Sequence, residues 1–190
     1  MNPRPRNILL VFVLLFAWIV TMVAAYWWYE ARYLRSFTDQ TTLFSGDPLR
    51  LPEELTGSGK IHFIHFWDPK CPCNVGNQQH LSELIERFSG QDVEFYAVQK
   101  PGTQGLLPQS LATLKHLAAF TGTDQIPASP AVAIWDSNDR LAYLGPYSEG
   151  TVCSSSNSFV EPILTALVEG RTVSASNNLA VGCFCQWLGD

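Results

Sequence analysis

An α/β domain with a mixed central sheet flanked by helices, carried behind one N-terminal transmembrane helix, is the fold class predicted by this sequence of 190 residues. Three observations predict it. No Asp, Glu, Lys or Arg occurs between Arg6 and Glu30, which leaves Ile8 to Tyr29 as a charge-free, mostly apolar run of 22 residues. At about 1.5 Å per helical residue that run reaches roughly 33 Å, enough to cross a bilayer core. Beyond it, runs rich in β-formers alternate with segments whose apolar residues recur at helical spacing, and the last two runs form a hairpin before a final helix. The length leaves room for one globular domain besides the helix.

The apolar run has the flanks of an anchor. Arg4, Arg6 and the terminal amine precede it, and Glu30 offsets Arg32 and Arg35 behind it, so the N-terminus is expected in the cytoplasm and the domain outside. Tyr26, Trp27, Trp28 and Tyr29 close the span with aromatics suited to a headgroup boundary. A cleaved signal peptide is the rival, because Val23-Ala24-Ala25 offers small residues near a cleavage point. The run exceeds the roughly 7 to 15 residues of a signal h-region, which favours the uncleaved anchor. Expected boundaries are 1–7 for a cytoplasmic N-terminus, 8–29 for the span and 30–59 for a tether and lead-in. A domain over 60–170 and a cysteine-bearing tail over 171–190 complete the chain. The expected location is the inner membrane, single-pass, with the domain in the periplasm.

Residues 36–59 mix polar and turn-forming residues with isolated Phe44, Leu49, Leu51 and Leu55, and predict a tether ending in a strand or hairpin. After Gly57-Ser58-Gly59, the run Ile61 to Phe66 predicts a central strand, bounded by Asp68-Pro69. From Asn77, the spacing of Leu81, Leu84, Ile85 and Phe88 predicts a helix stopped at Ser89-Gly90. Val93 to Val98 is the next strand. Leu111, Leu114, Leu117, Ala118 and Phe120 predict a second helix between Pro108 and Gly122. Ala131–Trp135 and Leu141–Leu144 form strands joined across Ser137-Asn138-Asp139, and Phe159, Ile163, Leu164 and Leu167 mark a last helix ending at Gly170.

Charge narrows the partners. Residues 1–36 carry +3 and residues 37–190, with eight basic and sixteen acidic side chains, carry −8. An acidic domain with scattered cations lacks the clustered basic face that nucleic acid requires, so no nucleic-acid partner is expected.

The five cysteines carry the chemistry. An extracytoplasmic domain permits disulfides, and an odd count leaves one thiol over within a single chain. Cys71 and Cys73 lie between a strand and a helix, where unpaired backbone N–H groups and the macrodipole favour a thiolate. A disulfide between them would close a small, strained ring around Pro72 and act as an oxidant or isomerase. Cys183 and Cys185 repeat the same spacing in the tail, which ends in aromatics able to dock on the domain, and Cys153 stands alone. Three readings of the tail stand open. A disulfide from Cys153 to a tail cysteine would pin the C-terminus, a tail thiol would resolve a mixed disulfide at Cys71 or Cys73, or both Cys-x-Cys pairs would converge on a metal. Zinc sites use wider spacings, whereas Cu(I) suits soft thiolates.

The stretch Ile61-His62-Phe63-Ile64-His65-Phe66-Trp67-Asp68-Pro69-Lys70-Cys71-Pro72-Cys73 resembles the thioredoxin signature, with its Cys-x-x-Cys shortened to Cys-x-Cys. Ile126-Pro127-Ala128-Ser129-Pro130-Ala131, running into Val132 to Asp136, is similar to the cis-proline strand of membrane-tethered thioredoxin-like proteins of the TlpA and ResA kind. The likeness spans roughly residues 45–170. It implies a thioredoxin-like fold, a cis Pro130 facing the cysteine pair, and substrate contacts at Trp67, Ser129 and Pro130. His65 falls where thioredoxins place a buried carboxylate and is expected either to relay a proton near neutral pH or to be a satisfied core histidine. His62, His80 and His116 have no ligand-like companions and read as structural.

These readings give thiol–disulfide exchange on protein thiols or disulfides as the leading expectation, with Cys71 attacking and Cys73 or a tail thiol resolving. No cofactor and no metal are assigned to that chemistry, and a membrane redox partner is admissible. The alternatives are a thiolate Cu(I)-binding or delivery protein and a redox-silent scaffold.

Overall fold

The computed structural model describes residues 5–38, 49–150, 153–177 and 179–187. The predicted lead-in is therefore seen only at its two ends, and Phe44 lies outside the described residues. Helix α1 spans Pro5–Tyr29, and its apolar side chains from Ile8 onward are exposed along its length. At about 1.5 Å per residue it is long enough to cross a bilayer core. A helix that is apolar all round and whose apolar window is unburied among the described residues fits either a membrane anchor or a signal sequence.

The domain is built on a six-stranded mixed sheet. Strands β2 (Ile61–Trp67), β3 (Val93–Gln99), β4 (Lys115–Leu117), β6 (Ala131–Trp135), β7 (Leu141–Gly145) and β8 (Ala175–Ser176) stand in the order β4-β3-β2-β6-β7-β8. β2 runs parallel to β3, with Phe63 opposite Phe95, and antiparallel to β6, with Phe63 opposite Ile134. Every residue of β2 is buried, as a central strand covered on both faces requires. Helix α2 (Asn74–Phe88) makes the crossover from β2 to β3, and α3 (Val160–Val168) follows the β6–β7 hairpin. The hairpin turns at Asp139, whose positive φ suits a residue tolerant of the left-handed region. This is the thioredoxin-like arrangement, and the Ser129–Pro130 peptide bond is cis as the resemblance implied.

The side chains of β2 alternate between two cores. Ile61, Phe63 and Trp67 join Leu81, Leu84 and Phe88 of α2 and Val160, Leu164 and Leu167 of α3. Ile64 and Phe66 point into a second cluster with Tyr96, Ala133 and Trp135. Among the described residues, no α-helix contributes to that second cluster. It is closed instead by Phe37, Leu49, Leu51 and Leu55 from the lead-in and by Phe184 and Trp187 from the tail.

The helix expected over Leu111 to Phe120 does not form. A 3-10 turn at Gln109–Leu111 leads into β4, which pairs parallel with β3 through Tyr96–Lys115 and Val98–Leu117. Its apolar residues serve opposite faces of the sheet. Leu111 and Leu114 enter the first core, while Leu117 and Phe120 pack on the second. One helical face would not reach both.

Tether and tail pair with each other. β1 (Leu34–Ser36) runs antiparallel to β9 (Val181–Cys183), with Leu34 opposite Cys183, and Phe37 N–H donates to the Ala180 carbonyl at 2.9 Å. A strand thus lies at 34–36, ahead of most of the stretch where one was expected and separated from the helix by a 3-10 turn at Ala31–Tyr33. Gly182 permits a close crossing: a Cβ there would sit 2.5 Å from the Gly150 carbonyl oxygen and 2.9 Å from the Phe184 ring.

Candidate functional site

The first cysteine segment is shaped by its own backbone. Asp68 ends the strand: its carbonyl accepts from Cys71 N–H at 2.9 Å and from the Asn74 side-chain amide at 2.7 Å, and its carboxylate accepts from Lys70 N–H at 2.9 Å. These bonds fold residues 68–74 into a tight turn that sets Cys73 at the N-cap of α2. Both sulfurs then lie at the positive end of a fifteen-residue helix. Lys100, within 3.4 Å of Asp68, adds a cation at the rim.

Opposite them lies the loop before β6. β5 (Ala128–Ser129) immediately precedes cis Pro130, and the Ser129 carbonyl oxygen is 3.7 Å from Cys71 Sγ. Pro130 and the cysteine segment therefore face each other as the family likeness implied. The expected substrate contacts are closed off here: Trp67 and Ser129 are buried, and Trp67 Nε1 and Ser129 Oγ have no hydrogen-bond partner among the described residues.

Trp67 is covered by the first core, and Ser129 by the tail. β10 (Cys185–Gln186) pairs antiparallel with β5, Cys185 opposite Ser129 and Gln186 opposite Ala128. Cys185 forms a disulfide with Cys71 (Cα–Cα 5.8 Å), and Cys183 forms one with Cys73 (Cα–Cα 5.5 Å). The Cys71–Cys73 bond expected from the sequence is thus replaced by two parallel bonds to the tail. The physical reason is the pair of short strands: β9 on β1 and β10 on β5 hold the second Cys-x-Cys alongside the first.

Contacts other than sulfur fix the tail. Phe184 and Trp187 are each 3% exposed. Phe184 meets Phe37 edge-on at 5.4 Å, and Trp187 meets Phe66 edge-on at 5.8 Å. Trp187 Nε1–H donates to the Thr123 carbonyl at 2.7 Å, and Lys100 Nζ donates to the Gln186 carbonyl at 2.8 Å. The docking of the tail aromatics was expected. Thr123, Lys100 and the Ala128–Ser129 strand as their receptors were not, and two-residue strands leave no periodicity to read.

Cys153 is the one free cysteine among the described residues, and it is buried. The expected disulfide from Cys153 to a tail cysteine is absent, for a topological reason: Cys153 packs in the first core, while the tail docks on the second, across the sheet. Burial pushes its thiol up to about 11, so it is not poised as a thiolate.

His65 is fully buried, its Nδ1 2.8 Å from the Tyr147 hydroxyl. Burial lowers its pKa to about 3. The proton relay rested on an imidazole titrating near neutrality; this one stays neutral there, and no hydrogen bond joins it to a cysteine among the described residues. That is the core-histidine reading. His62 is also buried, its Nε2 within 2.8 Å of Ser58 Oγ, and burial lowers its pKa. His80 is buried against Ser158, Nε2 to Oγ 2.9 Å. His116 lies on β4.

Comparison with solved structures places the fold beside two bacterial proteins. One is an uncharacterized conserved protein from Geobacillus kaustophilus, at 18% identity over 83% of this chain and 88% of that one, with a TM-score of 0.53. The other is a hypothetical protein from Sinorhizobium meliloti, at 13% identity over 68% and 79%, with a TM-score of 0.52. A weaker likeness, TM-score 0.40 at 17% identity over 59% of this chain and 82% of that one, is to a secreted Mycobacterium tuberculosis disulfide oxidoreductase homologous to E. coli DsbE. No curated protein matches. With a family profile matching residues 40–187, from the lead-in through both cysteine segments, the chain belongs to the family described as Domain of unknown function (DUF6436).

Proposed function

We propose that this protein exchanges disulfides with protein thiols, with Cys71 as the exchanging sulfur and Cys185 as its internal resolving partner. One observation carries the reading. The tail lies as an antiparallel strand on Ala128–Ser129, and its cysteine is bonded to Cys71 beside Pro130. That is the arrangement a substrate cysteine would take in a mixed disulfide, with backbone pairing for affinity and a sulfur aligned for exchange.

In the oxidising direction, a substrate thiolate attacks Cys71 Sγ, the bond to Cys185 breaks, and Cys185 leaves as a thiolate. A second substrate thiolate attacks the substrate sulfur of the mixed disulfide and releases Cys71. Two substrate thiols become one disulfide, and one protein disulfide becomes two thiols, so two electrons and two protons pass to the protein. The reverse sequence reduces a substrate. Cys73, held by Cys183, is not available to resolve in the first turnover, which gives that role to the tail.

The reading includes α1 as an uncleaved anchor in the inner membrane, with residues 1–7 in the cytoplasm, 8–29 in the bilayer and the rest in the periplasm. Its support is the exposed apolar surface of α1, the arginines before it and the use of four cysteines in disulfides, which suits an oxidising compartment. Tether 30–59 and tail 171–190 then join 60–170 in one folded unit. β1 begins five residues after α1 ends and pairs with the strand holding Cys183, which keeps the site close to the membrane and favours a membrane redox partner.

The test is trapping in the intact protein. Cys185→Ser, which leaves Cys71 a free thiol without its resolver, is expected to accumulate mixed disulfides with a model disulfide-bonded protein. Cys71→Ser is expected to trap none through this site, and Cys73→Ser is expected to trap no more than wild type at Cys71. Equal trapping by the Cys185 and Cys73 variants would remove the assigned roles.

A further inference from the structure

We infer that the fully reduced protein is a thiolate site for one monovalent copper ion, held by Cys71, Cys73 and Cys185. Three observations meet there. The sulfurs of these residues all lie within 4.8 Å of one another, and Cys71 and Cys73 are buried. Metal–sulfur bonds of about 2.3 Å in a trigonal arrangement need sulfurs roughly 4 Å apart, so once the bond between Cys71 and Cys185 is reduced these two sulfurs must move apart by about 2 Å, a side-chain adjustment, while Cys73 stays beside both. The Cys183 sulfur is not part of that mutual set, which leaves three donors.

The second observation is that contacts besides the disulfides hold the tail. Phe184 and Trp187 are buried in the second core, β9 pairs with β1, and β10 pairs with β5. Reducing both disulfides takes up four electrons and four protons and yields four thiols: two phosphine molecules give the electrons and become phosphine oxides, and two waters give the oxygens and the protons. Because the aromatic anchors and strand pairings remain, these thiols stay gathered instead of separating with a loose tail. A preorganised donor set binds without first having to be ordered.

The third is the chemistry of the donors. Thiolates are soft and select Cu(I) among the ions of first-row metals, while a closed zinc centre takes a fourth ligand in a tetrahedron. Binding replaces three S–H protons by one Cu(I), with no change in oxidation state. The resulting negative charge lies at the N-terminal end of α2 and near Lys100, whose ammonium touches the Gln186 carbonyl next to Cys185. Ser129, opposite Cys185, has a buried hydroxyl without a partner among the described residues, a spare donor beside the sulfurs. The inference rests on where the sulfurs are and is independent of whether the protein exchanges disulfides.

The experiment uses the full chain in detergent, reduced anaerobically with a phosphine and then freed of it, and titrated with Cu(I) in competition with a chromophoric Cu(I) chelator. The expected result is one Cu(I) withdrawn per chain by the reduced protein and none by the oxidised one. Cys71→Ser, Cys73→Ser and Cys185→Ser should each weaken binding at least tenfold, whereas Cys183→Ser and Cys153→Ser should keep a stoichiometry of one. Copper K-edge absorption on the unaltered protein, which needs no variant to fold, should show only sulfur neighbours near 2.3 Å. No copper uptake, nitrogen or oxygen ligands at the edge, loss of binding in Cys153→Ser or Cys183→Ser, or uptake of Zn(II) in preference to Cu(I) would each overturn the assignment. Mixed-disulfide trapping is a separate readout, so either property can fail alone.

Discussion

Removing the two disulfides separately and together should reveal that one lies inside the other. Cys71–Cys185 spans 114 residues and Cys73–Cys183 spans 110, so either bond alone closes nearly the same loop. On the chain-entropy relation, closing a loop of that size restricts the unfolded state by about 5 kcal/mol. Once it is closed, the other bond closes only a ring of about six residues, through Pro72 and Phe184, worth about 2 kcal/mol on the same relation. Cys71→Ala with Cys185→Ala, or Cys73→Ala with Cys183→Ala, should therefore each cost about 2 kcal/mol, and all four substitutions about 7 kcal/mol. Packing losses at the alanines are common to the separate and combined removals and cancel in the cycle, leaving a coupling of about 3 kcal/mol. Denaturant unfolding of the full chain in detergent, followed by tryptophan fluorescence, measures each value. If the two paired removals add up to the fourfold one within about 0.5 kcal/mol, the bonds do not share a loop and the nesting argument fails.

Two further outcomes follow from the buried groups. The folded pKa of His65 lies below its unfolded value, so the unfolded state takes up the proton first and stability is lost as pH falls from about 6.5 towards 3. Between pH 7.5 and 5 this amounts to about 2 kcal/mol, and His65→Asn should show a shallower fall by that amount in pH-dependent unfolding; parallel curves would return His65 to an environment where it titrates normally. Cys153, with its thiol raised to about 11 and buried, should resist iodoacetamide at pH 8 in the native protein and react once unfolded; rapid native alkylation there would contradict its place in the first core.

The parts of this fold legible in the sequence are those with a local period. β2, β3 and the β6–β7 hairpin show as runs of β-formers because the sheet is covered on both faces, and α2 and α3 as apolar residues three and four apart because each helix buries one face against the first core. The same rule misreads residues 111–120. Leu111, Leu114, Leu117 and Phe120 carry helical spacing, yet the chain there crosses the edge of the sheet and divides them between its two faces. The strands that build the site, β5, β9 and β10, are two or three residues long and hold too few positions to show any period. Cysteine partners are long-range facts of the same kind. The motif located Cys71 and Cys73 at a helix start, but only the pairing of β10 with β5 and of β9 with β1 decides which sulfurs they meet.

Those pairings also bear on how an exchange reaction here would resolve. The second face of the sheet, with Ile64, Phe66, Tyr96 and Trp135, receives no α-helix among the described residues and is covered in part by Phe184 and Trp187. Undocking these two aromatics would expose that core to water at a cost of about 3 kcal/mol or more for the tryptophan alone. When the Cys71–Cys185 bond opens, the tail is therefore held in place, and the Cys185 thiolate stays within a short side-chain movement of Cys71. A nucleophile so confined acts at an effective concentration far above that of any free thiol. Mixed disulfides on Cys71 should then be short-lived in the unaltered protein, which is why the informative substitution is at Cys185, on the tail, and not at the neighbouring Cys73.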